Sequence, residues 1–159
     1  MKIVHTNGKN KDFYGLCERL DKSLNDNTPG RKEAGLNSLS KLDNINDVFL
    51  LYKGKQVIGS AGLWHHEEEG ACEMIRVFID DDHRGRGLVG KLAKKIEKLA
   101  KKSGYGSISL RTYSCTPYAV RAYTKLGYAQ VPPAKIKYKD TFPKELEINK
   151  LRVFMEKDL

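Results

Sequence analysis

The sequence predicts a mixed α/β fold, and three observations carry the prediction. Seven short apolar runs of strand length recur along the chain, at residues 3–6, 47–52, 56–64, 71–79, 107–113, 128–131 and 151–157. Four longer stretches, at residues 12–25, 31–42, 88–103 and 116–126, carry apolar side chains at helical spacing. The sharpest local signal is a strand-like run, residues 74–79, that passes through a glycine-rich turn, DDDHRGRGLVGK, into the longest amphipathic stretch. With 159 residues and 40% apolar content the chain can bury one core, so residues 1–159 are expected to form one domain.

Each element has its own warrant. Residues 3–6 make a short first strand. Phe13, Leu16, Cys17, Leu20 and Leu24 form the stripe of a first helix, with Asn10 or Asp12 placed to cap it. The NDNTPG cluster is a turn, and residues 31–42 read as a second helix with Leu36, Leu39 and Leu42 inward, weakened by Gly35. Residues 47–52 and 56–64 flank Lys53-Gly54-Lys55, the pattern of a tight hairpin. The HHEEEG segment that follows reads as a polar loop. Its adjacent histidines are poorly placed to converge on one ion, so no metal is expected. In residues 88–103, Leu88, Leu92, Ile96 and Leu99 share one face, six lysines take the opposite one, and Gly104 ends the helix. Residues 107–113 are a strand, and residues 116–126 a helix that tolerates Pro117 in its first turn. After the strand at 128–131, residues 132–150 are polar and irregular, and residues 151–157 are expected to close the sheet.

The glycine turn is the place to look for chemistry. Gly85, Gly87 and Gly90 allow a sharp bend and close approach to the main chain. The first N–H groups of the following helix have no intrahelical partner, and the helix dipole favours an anion there. Arg84 and Arg86 add positive charge, so the residues describe a phosphate or pyrophosphate cradle. Gly85-x-Gly87-x-x-Gly90 also fits the dinucleotide fingerprint, but the next strand carries Arg111 where that fold needs an acid for the ribose. Gly85-x4-Gly90-Lys91 approaches a P-loop, but Leu92 cannot ligate magnesium.

A third pattern accounts for more of the chain. Arg84-x-x-Gly87-x-Val89 is similar to the Arg/Gln-x-x-Gly-x-Gly/Ala pyrophosphate motif of the GNAT family of N-acetyltransferases, departing from it at Val89. Ala119-x-x-x-Tyr123-x-Lys125-x-Gly127-Tyr128 resembles the family's second helix and the strand after it, at family spacing. The resemblance covers residues 48–128 well and the ends loosely. It implies a GNAT-like fold, a mostly antiparallel twisted central sheet of about six to seven strands flanked by about four helices. It implies acetyl-CoA as co-substrate and transfer of an acetyl group to a primary amine of a small molecule or peptide, by direct attack in a ternary complex. The cofactor would meet the main chain at Val77, Phe78 and Ile79. Its pyrophosphate would lie on Arg84, Gly85, Arg86, Gly87, Leu88, Val89 and Gly90. Thr116 stands where members often carry Asn, and its reach to pantetheine differs. Tyr123 matches the tyrosine near the coenzyme sulfur and would protonate the departing thiolate. Glu73, eleven positions before Arg84, matches the general base of the histone-acetylating branch. The alternative for Glu73 is a structural pairing with Arg76 or solvent exposure. The first two helices and the loop after Pro132 would wall the acceptor site. A non-catalytic acyl-CoA sensor on the same fold is the alternative function.

Composition sets the remaining bounds. Net charge is +9, from 29 basic and 20 acidic residues, which suits an anionic ligand such as coenzyme A. The lysine stripe has no interleaved aromatics or base-reading motif, so a nucleic-acid partner is not expected. No apolar run has the length of a membrane span, and the N-terminal MKIVHTNGKN lacks an apolar signal region, so a cytoplasmic protein is expected. Cys17, Cys72 and Cys115 are an odd set without metal-like spacing and read as reduced thiols. A homodimer is left open, as is the acceptor amine.

Overall fold

The strand-like runs assemble into one seven-stranded sheet in a computed structural model that describes residues 1–34 and 39–159. The strands are β1 (Lys2–Thr6), β2 (Asp47–Lys53), β3 (Gln56–His66), β4 (Ala71–Ile79), β5 (Ser107–Tyr113), β6 (Ala129–Val131) and β7 (Arg152–Asp158). Their order is β1-β2-β3-β4-β5-β7-β6. Neighbours are antiparallel except β4 and β5, which run parallel and share a single registered pair, Glu73 with Ser109. A parallel pair needs a crossover, and α2 (Leu88–Lys102) supplies it. The other helices are α1 (Lys11–Asn27) and α3 (Pro117–Lys125).

Strand alternation puts a core on each face of the sheet. Val48 and Leu50 of β2 join Phe13, Leu16 and Cys17 of α1, whereas Phe49 and Leu51 join Leu88, Leu92 and Ile96 of α2 on the other face. Val120, Tyr123 and Leu126 pack on the α2 face as well. Leu92 and Ile96 are fully buried, each contributing about 1.5–3 kcal/mol of transfer free energy. Asn10 caps α1 by accepting from the N–H groups of Asp12 and Phe13. The six lysines of α2 are exposed on its outer side. Among the described residues, no helix is long and apolar enough to cross a membrane.

Several expectations need correcting. Among the described residues, three α-helices stand where about four were expected. Residues 31–34 form a turn and Leu39–Asn44 a 3-10 helix, while Gly35 and Leu36 of the expected second helix lie outside the described residues. Arg31 folds back on α1, its guanidinium reaching Asn25 Oδ1 at 2.6 Å and Asp21 Oδ1 at 3.0 Å, and that tether replaces a helical start. His65 and His66 belong to β3, so they point to opposite faces: His65 contacts Tyr105 and Asp47, and His66 contacts Glu73. The last strand does not close the sheet. β7 inserts between β5 and β6 because its Phe154 and Met155 are buried and it pairs along the whole of β5, whereas β6 has three residues and an exposed Ala129 and Gln130 that suit a short edge.

Candidate active site

The site begins with a defect in β4. The β3–β4 register shifts between Ser60 and Gly62, and β4 takes up the extra residue at Arg76, which has φ 52°. Ser60 Oγ donates to the Arg76 carbonyl at 2.9 Å and holds the bulge. Beyond the Glu73–Ser109 pair, β4 and β5 part. The gap is a cleft of about 630 Å³ lined by residues 73–79 of β4 and residues 110–113 of β5. It is a passage through the sheet, with one mouth beside α2 and α3 and the other beside α1.

The α2 mouth holds most of the expected cofactor residues. Val77, Phe78, Ile79, Arg84, Gly85, Gly87, Leu88, Val89, Thr116 and Tyr123 all line the cleft. Gly85 and Gly87 have φ 74° and 71°, and a Cβ at either position would meet nothing within 4 Å, so the turn faces open space. Gly87 is the N-cap of α2, which leaves the first N–H groups of that helix facing outward. Arg84 lies back over the turn, donating from Nε to the Ile79 carbonyl at 3.0 Å and from Nη2 to Asp81 at 2.9 Å. Asp80 anchors the start of the turn by accepting from Arg19 at 2.6 Å, a hydrogen bond that holds its carboxyl below the usual range. Two expected residues stand apart. Arg86 reaches the Asp82 carbonyl at 3.4 Å outside the cleft lining, and Gly90 admits close packing of α3, since a Cβ there would lie 3.3 Å from Leu126.

Thr116 is at the N-cap position of α3, but its hydroxyl donates backwards to the Tyr113 carbonyl at 2.8 Å instead of capping the helix. Tyr123, about two turns further along α3, presents its ring to the cleft and meets Tyr128 edge-on, with centroids 6.0 Å apart. Burial, with a smaller contribution from Tyr118, pushes its phenol well above the usual range, so the hydroxyl is protonated at neutral pH. Burial, aided by the charge of Glu73, pushes the Cys72 thiol up to about 12 and so disfavours the thiolate.

On the α1 face, Glu73 is 1% exposed, and it is the one carboxylate in the cleft lining among the described residues. Arg111 grips it with two hydrogen bonds, from Nε at 2.6 Å and from Nη2 at 3.1 Å, and His66 Nε2 lies 3.0 Å from its Oε1. The partner expected for a structural role, Arg76, turns instead to Asp21 Oδ1 at 2.8 Å. Arg152 is held by Asp140 at 2.9 and 3.0 Å, and with Phe142 and Arg111 it forms the far wall of this mouth. Sequence reasoning missed this set of arginines. The one signal was Asp21, a carboxylate one turn after Cys17 on the apolar stripe of α1.

A sheet parted between its single parallel pair, with a glycine turn and helix N-terminus at one mouth, defines the class of this protein: the α/β fold shared by solved acetyltransferases. A GNAT acetyltransferase from Staphylococcus aureus superposes with a TM-score of 0.73, at 16% identity and 99% coverage of both chains. A Bacillus subtilis acetyltransferase in complex with CoA gives 0.68, at 16% identity over 99% of this chain and 98% of that one. The sequence model of the acetyltransferase (GNAT) family matches residues 17–128, and the chain belongs to that family. Among curated relatives, the uncharacterized N-acetyltransferase YjcF of Bacillus subtilis is 28% identical over 102 residues, 64% of this chain and 66% of that protein. The N-acetylaspartate synthetase of Xenopus tropicalis is 30% identical over 76 residues, 48% of this chain, which spans only 28% of that relative's length.

Proposed function

We propose that the protein is an acetyl-CoA-dependent N-acetyltransferase that acts on a primary amine of a small molecule or peptide by direct attack in a ternary complex. The observation that carries this reading is the passage between β4 and β5, with the glycine turn and Tyr123 at one mouth and Glu73 at the other. Acetyl-CoA fits the residues present: Gly85 and Gly87 leave the phosphate turn open, and α2 aims its free N–H groups there. The co-substrate supplies an activated thioester acyl group. The main chain at Val77, Phe78 and Ile79 holds the pantetheine arm, and a β4 N–H steadies charge on the thioester oxygen. Tyr123, protonated at neutral pH, donates its proton to the leaving sulfur.

An alkylamine, with a pKa near 10.4 in the case of lysine, is mostly protonated at neutral pH and must lose a proton before it attacks. Glu73 is the group in this reading that takes it, directly or through water, with Arg111 and His66 fixing its orientation. Holding both reactants across one passage supplies much of the remaining rate gain. Thermal unfolding with acetyl-CoA, followed by a thiol-release screen of amines, tests the proposal. A ligand at about a hundred times its Kd adds roughly 2.7 kcal/mol, worth a rise of about 5–10 °C in Tm for a chain of this size. No rise with acetyl-CoA would refute it. A rise without turnover of any amine would favour the non-catalytic sensor.

A further inference from the structure

We infer that the acceptor amine carries a carboxylate and that Arg76 is the residue that selects it; the inference rests on the acetyltransferase reading above. Four guanidiniums, those of Arg31, Arg76, Arg111 and Arg152, line the acceptor mouth, and Glu73 is the one acid lining it among the described residues. The arginines differ in what they have left to offer. Arg111 spends Nε and Nη2 on Glu73, and Arg152 spends both terminal nitrogens on Asp140. Arg76 gives a hydrogen bond from Nη1 alone, to Asp21 Oδ1. A guanidinium has five N–H donors, so Arg76 keeps an edge able to take a planar carboxylate. Its counter-charge is also divided, because Arg31 donates to the same Asp21 oxygen at 3.0 Å.

The backbone points the same way. Arg76 is the single non-glycine residue with positive φ among the described residues, and it sits at the bulge that opens the passage. A left-handed arginine costs free energy that a glycine would not. What the bulge secures is an arginine side chain 14% exposed, at the acceptor mouth and facing α1. Arg76 follows Glu73 by three residues on one strand, under about 10 Å at strand rise. A short amino acid spans that interval, with its amine toward Glu73 and its carboxylate on Arg76.

The test compares kcat/KM, by thiol release from acetyl-CoA, for short amino acids and for amines of equal length without the carboxylate. The pairs are β-alanine with propylamine and 4-aminobutyrate with butylamine; L-alanine and L-aspartate complete the panel. Wild type should prefer the carboxylate member of a pair by about ten- to hundredfold, the worth of a charge-assisted hydrogen bond. Arg76→Gln should bring that ratio toward one while acetyl-CoA still raises Tm, and Arg76→Lys should restore part of it. A merely structural arginine would lower both members of a pair together and leave the ratio unmoved. Should Gln prevent folding, Arg76→Gly removes the side chain and accepts the positive φ. Turnover of the plain amines at equal or higher efficiency in wild type, or a ratio that survives in Arg76→Gln, overturns this inference and leaves acetyl transfer standing. Loss of both the acetyl-CoA stabilisation and all turnover overturns the acetyltransferase reading, and this inference with it.

Discussion

Replacing Tyr123 by phenylalanine separates chemistry from binding, because the structure gives the ring and the hydroxyl different work. The ring packs on the α2-face core and meets Tyr128 at 6.0 Å and 73°, contacts that phenylalanine keeps. The folded protein should therefore lose less than about 1 kcal/mol, a change in Tm of at most about 4 °C. Acetyl-CoA affinity should hold, since the phosphate turn and the β4 main chain are untouched. The hydroxyl is the proposed proton donor to the thiolate, and general acid catalysis typically contributes 10²–10⁴-fold, or about 3–5 kcal/mol of barrier. Single-turnover thiol release at saturating acetyl-CoA reads that step without interference from product release. The loss should shrink when the thioester carries a more acidic thiol, which departs without protonation. Because burial raises the Tyr123 phenol, wild type should show no alkaline loss of rate from this group up to the ordinary tyrosine value of about 10. A single-turnover rate within about threefold of wild type, or an equal loss with every leaving group, would refute the role.

Three further outcomes can be checked with the same preparations. Glu73→Gln should cut kcat/KM most at low pH, where the amine is more fully protonated; a pH profile parallel to wild type would leave Glu73 as the anchor of Arg111 only. Gly87→Glu should abolish the acetyl-CoA shift in Tm by placing bulk and negative charge in the cradle, and a folded variant that still binds would move the cradle elsewhere. Asp80→Asn should cost about 1–2 kcal/mol at pH 7, a figure kept low because Arg19 is half-exposed. Since Arg19 depresses the folded-state pKa of Asp80, that stability is present above the ordinary carboxylate pKa and lost as pH falls through the folded value. The Tm difference between variant and wild type should accordingly close below about pH 4, and a difference independent of pH would mean the pair is not electrostatic.

Much of this protein is local physics, and local physics is written in the sequence. Leucines at helical spacing made α2, an apolar run made β4, and the glycines between them made a turn whose positive φ angles only glycine adopts cheaply. The residues proposed for the cofactor half of the site are nearly consecutive, so Arg84, Gly87 and Leu88 could be nominated together, with Tyr123 from a motif of its own, and all four line the cleft. Gly90 lies outside the cleft lining, and the neighbour that a Cβ there would meet, Leu126, comes from a distant part of the chain.

The α1-facing half of the cleft, the proposed acceptor side, follows from tertiary packing. Glu73 meets Arg111 across 38 positions, and Arg76 meets Asp21 across 55. No spacing rule reaches that far, because such contacts depend on which strands lie side by side. Strand order decides them: β5 beside β4 delivers Arg111, and β7 inserted between β5 and β6 brings in Arg152. The bulge at Arg76 was equally hidden, since nothing in the apolar run marks which residue will sit at positive φ. Most elements, the glycine turn and the family resemblance followed from local residue patterns, because each depends on neighbours within a few positions. Which charges line the cleft was settled only when the sheet brought distant strands together.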